Sequence, residues 1–161
     1  MKLARHPLAF DAIVVLAALA GLANLPARAQ TCAAPTPLPA DSTVTSFTCG
    51  AENFTPPALS GPGAVLRLAL DHPVSLDLTL AGIEPQFDPV LCVMDAANPC
   101  GAGPCLATGN ALTPITLDNL PAGAYWVIVT ASPSSAAGSC GMFGLTSQIV
   151  PADTILANGF D

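Results

Sequence analysis

The segment VSLDLTL at 74–80 places Val74, Leu76, Leu78 and Leu80 at alternate positions, with Ser75, Asp77 and Thr79 between them. Successive side chains of an extended chain point to opposite faces, so the apolar set needs a layer to bury against and the polar set needs water. This is the pattern of a strand in an antiparallel sheet with one wet face. The same two-residue alternation recurs in GAVLRLAL (63–70), TVTSFTC (43–49), ITL (115–117), AYWVIVTA (124–131) and FGLTSQIV (143–150). Proline and glycine clusters separate these runs, as in TPPALSGPG, ANPCGAGP and NLPAG. Beyond residue 29 no stretch carries a convincing helical apolar period. About seven to eight short strands with turns at this spacing predict an all-β fold, a single antiparallel β-sandwich. The link Asp71-His72-Pro73 is short enough for 63–70 and 74–80 to read as a hairpin.

One stretch departs from clean alternation. In QFDPVLCVMD (86–95), Val90, Cys92 and Met94 share one face and Leu91 and Val93 the other. Both faces are apolar, so this strand is expected to be central and covered on both sides. Asp88 and Asp95 mark the two ends, where the chain meets water.

The first residues, MKLARHPLAFDAIVVLAALAGLANLPARAQ, combine a basic start, an apolar run from Ala12 to Leu22 and the small-x-small sequence Ala27-Arg28-Ala29. They predict a signal peptide over 1–29 and a mature chain from Gln30 that is secreted or periplasmic. The run is short for a membrane span and Asp11 borders it, so no stable span is expected after processing. The remaining chain divides into a Pro-rich arm and edge strand at 30–60, the sandwich at 61–150 and a tail at 151–161. About 130 residues suffice for one core.

The whole chain carries a net charge of −7. From Gln30 onward ten acidic residues face Arg67 as the single Lys or Arg, a balance of −9. One arginine cannot neutralise a run of phosphates, so nucleic-acid binding is excluded. Adhesion to an anionic membrane surface is disfavoured for the same reason.

All six cysteines lie beyond residue 29. An even number in an exported domain predicts three disulfides, with fifteen connectivities open. Proximity along the chain favours Cys100–Cys105 and Cys32–Cys49, which leaves Cys92–Cys140 as a long-range staple. Zinc is disfavoured, because paired C-x2-C knuckles and a partner histidine are lacking.

Phe87-Asp88 opening a strand, then ITLDNLPAGAYWVIVTA at 115–131 with Ala122-Gly123-Ala124-Tyr125, then a closing strand, resembles the bacterial pre-peptidase C-terminal (PPC-like) domain over residues 61–150. The resemblance implies a non-catalytic β-sandwich attached to secreted peptidases or other exoenzymes, with matrix- and calcium-binding relatives in collagenases. The chain departs from that family after the Phe-Asp strand, where Thr108-Gly109-Asn110 stands in place of an acidic stretch, and it is expected to act as a module without an accompanying catalytic domain. The closing DTILANGFD is similar to an Ile-Phe-x-x-Gly-Phe-acid tail on some Gram-negative exported proteins, implying a sorting or processing role, with a frayed terminus ending in a strand-like turn as the alternative.

Candidate site residues follow. Asp88, Asp95, Asn98, Asn110, Asp118 and Asn119 are all expected in loops between strands and offer the oxygen ligands calcium prefers, which makes them a candidate weak calcium site. The competing reading is that Asp and Asn cap local backbone groups in turns. His72 is the single histidine beyond residue 29, so a Ser-His or Cys-His mechanism would have to use it. Glu84 and Asp88 share one turn, where glycosidase chemistry needs carboxylates on opposite sides of a sugar. Tyr125 and Trp126 are adjacent in a strand and must point to opposite faces, so they cannot form a two-ring platform for a carbohydrate. The expected function is that of an exported binding or accessory module without enzymatic activity or cofactor, serving a secreted peptidase or an extracellular polymer. The alternatives are a structural or adhesin-like surface component and a secreted hydrolase built around His72.

Overall fold

The computed structural model describes residues 30–39, 41–54, 59–135 and 139–151. The expected signal peptide and the C-terminal tail motif lie outside them. The chain forms ten strands, somewhat more than the seven to eight expected: β1 (Thr36–Pro37), β2 (Ser42–Phe47), β3 (Glu52–Phe54), β4 (Gly61–Leu70), β5 (Val74–Gly82), β6 (Pro89–Asp95), β7 (Ala107–Asn110), β8 (Ile115–Leu120), β9 (Gly123–Ala131) and β10 (Met142–Pro151). Two sheets face each other. One has the order β1-β4-β9-β6-β7, with β3 also paired to β4, and the other β2-β10-β5-β8. All pairings are antiparallel except the short β1–β4 contact.

Alternation decides which residues meet between the sheets. Leu66 and Leu68 of β4, Leu76 and Leu78 of β5, Leu91 and Val93 of β6, Val127 and Val129 of β9, and Phe143 and Leu145 of β10 form one buried core. Each such side chain contributes on the order of 1.5–3 kcal/mol by leaving water. Tyr125 joins this core and donates from its hydroxyl to the Pro121 carbonyl at 2.8 Å, fixing the short link between β8 and β9.

The expected hairpin between 63–70 and 74–80 does not form. Asp71–Pro73 instead carries the chain from one sheet to the other. A three-residue link serves an in-sheet turn or a crossing equally well, and strand character makes the choice. The core segments of β4, β6 and β9 are apolar on both faces and lie side by side. β5 and β10 alternate cleanly and pair with each other over nine residues.

The doubly apolar sheet needs a second cover, and it has one. Val65, Ile128 and Cys92 stand in one cross-strand row on its outer face. They pack with Met94, Phe54 and Leu59 in a second buried cluster bordered by Cys32, Cys100, Cys105 and Trp126. The N-terminal segment and the 96–106 loop thus lie over this face. The expectation that QFDPVLCVMD is covered on both sides holds, with β6 flanked by β9 and β7.

All three expected disulfides are replaced by others. The bonds are Cys32–Cys100, Cys49–Cys140 and Cys92–Cys105. Cys92 points outward with Val65 and Ile128, so its reach is to the loop folded over that face, where Cys105 stands. Cys105 being taken, Cys100 holds Cys32 of the N-terminal segment. Cys49 follows β2, whose Phe47 pairs with Met142 of β10, and two residues further along this antiparallel register lies Cys140. Nearness in sequence was a poor guide because the pairing is set by strand register and by the face each cysteine occupies.

Candidate functional site

The sandwich has two ends. The Asp71 end gathers the β4–β5, β6–β7 and β8–β9 links, and the Asp88 end gathers the β2–β3, β5–β6, β7–β8 and β9–β10 links. The candidate calcium residues divide between them. Asp88 and Asp95 sit at opposite ends of β6, on the order of 20 Å apart along the strand. Asn110 pairs with Val90 and so lies toward the Asp88 end, whereas Asn98, Asp118 and Asn119 lie toward the Asp71 end. The set therefore does not converge on one ion. Two of its members, Asp95 and Asn110, cap their own turns. Asp95 Oδ1 accepts from the Ala97 N–H at 2.8 Å, and Asn110 Oδ1 accepts from the N–H groups of Leu112 and Thr113 at 2.8 and 2.9 Å. Asp118 Oδ1 accepts from the Ser75 hydroxyl at 3.5 Å, and the Asn98 main-chain carbonyl accepts from the Trp126 indole N–H at 3.3 Å. Asn119 adopts a left-handed backbone with φ 54°, a conformation asparagine tolerates well. Among the described residues no three His, Cys, Asp or Glu side chains form a metal-binding group.

His72 is exposed in the crossing link. Glu84 and Asp88 are exposed in one loop, tightened by the Phe87 N–H donating to the Glu84 carbonyl at 3.1 Å. Tyr125 and Trp126 point to opposite faces as expected, the first into the main core and the second into the outer cluster. Burial raises the Tyr125 hydroxyl above its ordinary pKa, and the neighbouring Asp95 carboxylate pushes the same way. The guanidinium of Arg67 lies 5.7 Å from the centre of the Trp126 ring, within cation–π range.

The four-stranded sheet presents a different surface. Its inward residues, such as Val44, Leu145 and Leu80, fill the core, which turns their neighbours outward. Thr43, Thr146 and Thr79 form one cross-strand row, and Thr45, Gly144 and Ala81 the next. The Thr43 and Thr146 hydroxyls lie 2.9 Å apart in a hydrogen bond. At the Asp88 end the row becomes apolar. Phe47 pairs with Met142, and the Ile83 N–H donates to the Met142 carbonyl at 3.0 Å. These three side chains are 43%, 38% and 50% exposed. Sequence reasoning missed this group because its members lie far apart in the chain and meet through register alone. The one available signal was Phe47 on the polar side of TVTSF.

No family model matches the sequence, and no curated protein matches it. Solved structures do. The chain is similar to the pre-peptidase C-terminal domain of a collagenase from Bacillus anthracis at 12% identity and TM-score 0.52, with 70% of this chain and 93% of that one covered. The sandwich is PPC-like in fold. It is equally similar to Aeromonas hydrophila PliG, a periplasmic inhibitor of g-type lysozyme, at 12% identity and TM-score 0.54, with 71% and 94% covered. At such identity the likeness is one of fold.

Proposed function

We propose that this chain is a non-catalytic, exported binding module that engages a protein or polymer partner outside the cytoplasm. The observation that carries the reading is the unequal treatment of the two sheets. Disulfide-held segments cover one outer face, while the other presents a polar, threonine-rich surface that also carries Asp77 and Asp118 and ends in exposed Phe47, Met142 and Ile83. Exposed apolar side chains grouped on a polar face are typical of interaction sites. Three disulfides suit an oxidising compartment. Among the described residues no helix is long and apolar enough to cross a membrane. The fold also serves a domain of a collagenase and an inhibitor of a lysozyme, which supports a role beside an enzyme.

The test is affinity capture from the producing organism's secretome, with the chain from Gln30 as bait and an equally acidic β-sandwich as control. The expected result is stoichiometric retention of an extracellular protein or polymer by this chain alone. Retention no greater than the control, or a hydrolytic activity of the pure chain abolished by His72→Ala, overturns the reading.

A further inference from the structure

The edges of the two sheets are unequally protected. The outer side of β4 is occupied by β3 and β1. β7 has only four residues and ends in the turn built on Asn110. β8 carries a register irregularity opposite Val74–Leu76, an exposed Asp118 and the left-handed Asn119. Short length, bulges and charge are the usual devices that keep an edge from pairing with another chain. β2 has none of them. Its sequence STVTSF is six residues long and regular, without charge, proline or glycine. Among the described residues it has β10 as its sole partner strand, leaving the backbone groups of its other side without a ladder.

A second observation falls on the same strand. Phe47 closes β2 and begins the exposed row continued by Met142 and Ile83. An unprotected edge supplies main-chain hydrogen bonds, and an apolar row beside it supplies an anchor for a side chain, the two components of recognition by strand addition. Charge then selects the occupant. The exposed acid Glu84 follows Ile83 at the row, and Asp41 stands at the opposite end of β2, where its Oδ1 accepts from the Ile149 N–H at 3.0 Å. Arg67, the single Lys or Arg of the described residues, lies in β4 of the other sheet. A second copy of so acidic a chain is disfavoured by repulsion, and a basic strand is drawn in.

Building on the binding-module reading above, we propose that the free edge of β2 and the Phe47–Met142–Ile83 row dock an extended, cationic segment of a partner polypeptide. The segment adds to the four-stranded sheet as a fifth strand, its backbone on β2 and an apolar side chain against Phe47.

The probe is an alternating lysine–valine peptide of about ten residues, enough to span a strand of this length, with a glutamate–valine peptide as its counterpart. Amide hydrogen exchange of the chain from Gln30 is followed with and without each. The lysine peptide is expected to slow exchange at Thr43–Phe47 on the order of tenfold or more and to leave Ile115–Leu120 unchanged. Phe47→Ala, exposed and so free to fold, is expected to weaken binding roughly tenfold. Absence of binding, or binding that leaves Thr43–Phe47 exchange unchanged, overturns the proposal. Equal binding of the glutamate peptide overturns its charge selection. Protection that appears without peptide and grows with protein concentration assigns the edge to a second copy and overturns it too. A secretome partner that is retained while β2 exchange stays unchanged removes the docking site alone and leaves the module reading standing.

Discussion

The two sheets of this molecule are built from strands of different character and end in different surroundings. In the six-stranded sheet, β4, β6 and β9 carry apolar residues on both faces, and the second face is covered by the N-terminal segment and the 96–106 loop. In the four-stranded sheet the strands alternate, and the outward positions are mostly polar, with threonines, Ser75, Gln148, Asp77 and Asp118 beside Gly144 and Ala81, and with one apolar row at the Asp88 end. Two of the three disulfides, Cys32–Cys100 and Cys92–Cys105, fasten the cover of the first sheet, and neither touches the second. One outer surface is thus closed and the other left open to solvent. Substitutions matched across the two sheets test whether that division is real.

The largest effect is expected from releasing the cover. Cys32→Ser with Cys100→Ser opens a bond that spans 68 residues, and loop-closure entropy puts the loss at about 4 kcal/mol. Chemical denaturation should show this fall, together with binding of a hydrophobic dye to the uncovered cluster around Val65 and Ile128.

A matched pair of phenylalanines comes next. Phe54 is buried in the outer cluster, and Phe54→Ala should cost about 3–5 kcal/mol. Phe47 stands exposed on the other sheet, and Phe47→Ala should change stability by no more than about 0.5 kcal/mol. Equal losses in thermal or urea unfolding would break the comparison.

Glycines offer a finer version. A Cβ at Gly63 would stand 2.6 Å from Thr130 Cγ2 and 2.7 Å from the Phe54 ring, so Gly63→Ala should cost about 1–3 kcal/mol. A Cβ at Gly144 meets nothing within 4 Å, and Gly144→Ala should be neutral or slightly stabilising.

The smallest effect concerns pH. Tyr125 has a folded-state pKa above that of the unfolded chain, because burial and the Asp95 carboxylate both disfavour the phenolate. Its contribution is fully present below the phenol's ordinary pKa of 10.0 and is lost as pH rises through the folded value. Stability measured by urea unfolding should decline in that alkaline window, and Tyr125→Phe should flatten the decline.

These contrasts also mark how far the sequence is legible. The all-β class, the two-sheet sandwich and the double burial of β6 follow from the side-chain period of an extended strand, as VSLDLTL and QFDPVLCVMD illustrate. Which strands pair is a non-local matter. Asp71–Pro73 reads as a turn until β4 is seen to match β9 and β5 to match β10. The cysteine pairing failed for the same reason, since Cys49 meets Cys140 through the register of β2 with β10. The candidate calcium residues were all expected in loops, but Asp95, Asn110, Asp118 and Asn119 lie within β6, β7 and β8, and sequence does not say at which end of the sandwich each emerges. The Phe47–Met142–Ile83 row was hidden because its members come from three separate segments.

The central claim is that the partner meets the four-stranded sheet. Partner retention from the secretome by two surface variants tests it most directly. Thr79→Arg places a bulky charge in the middle of the open face, and Ala69→Arg places the same group at an exposed outward position of β4 in the covered sheet. Both should fold as the parent does. Loss of retention by Thr79→Arg with retention kept by Ala69→Arg is the predicted result. Loss by Ala69→Arg with retention kept by Thr79→Arg would contradict the account.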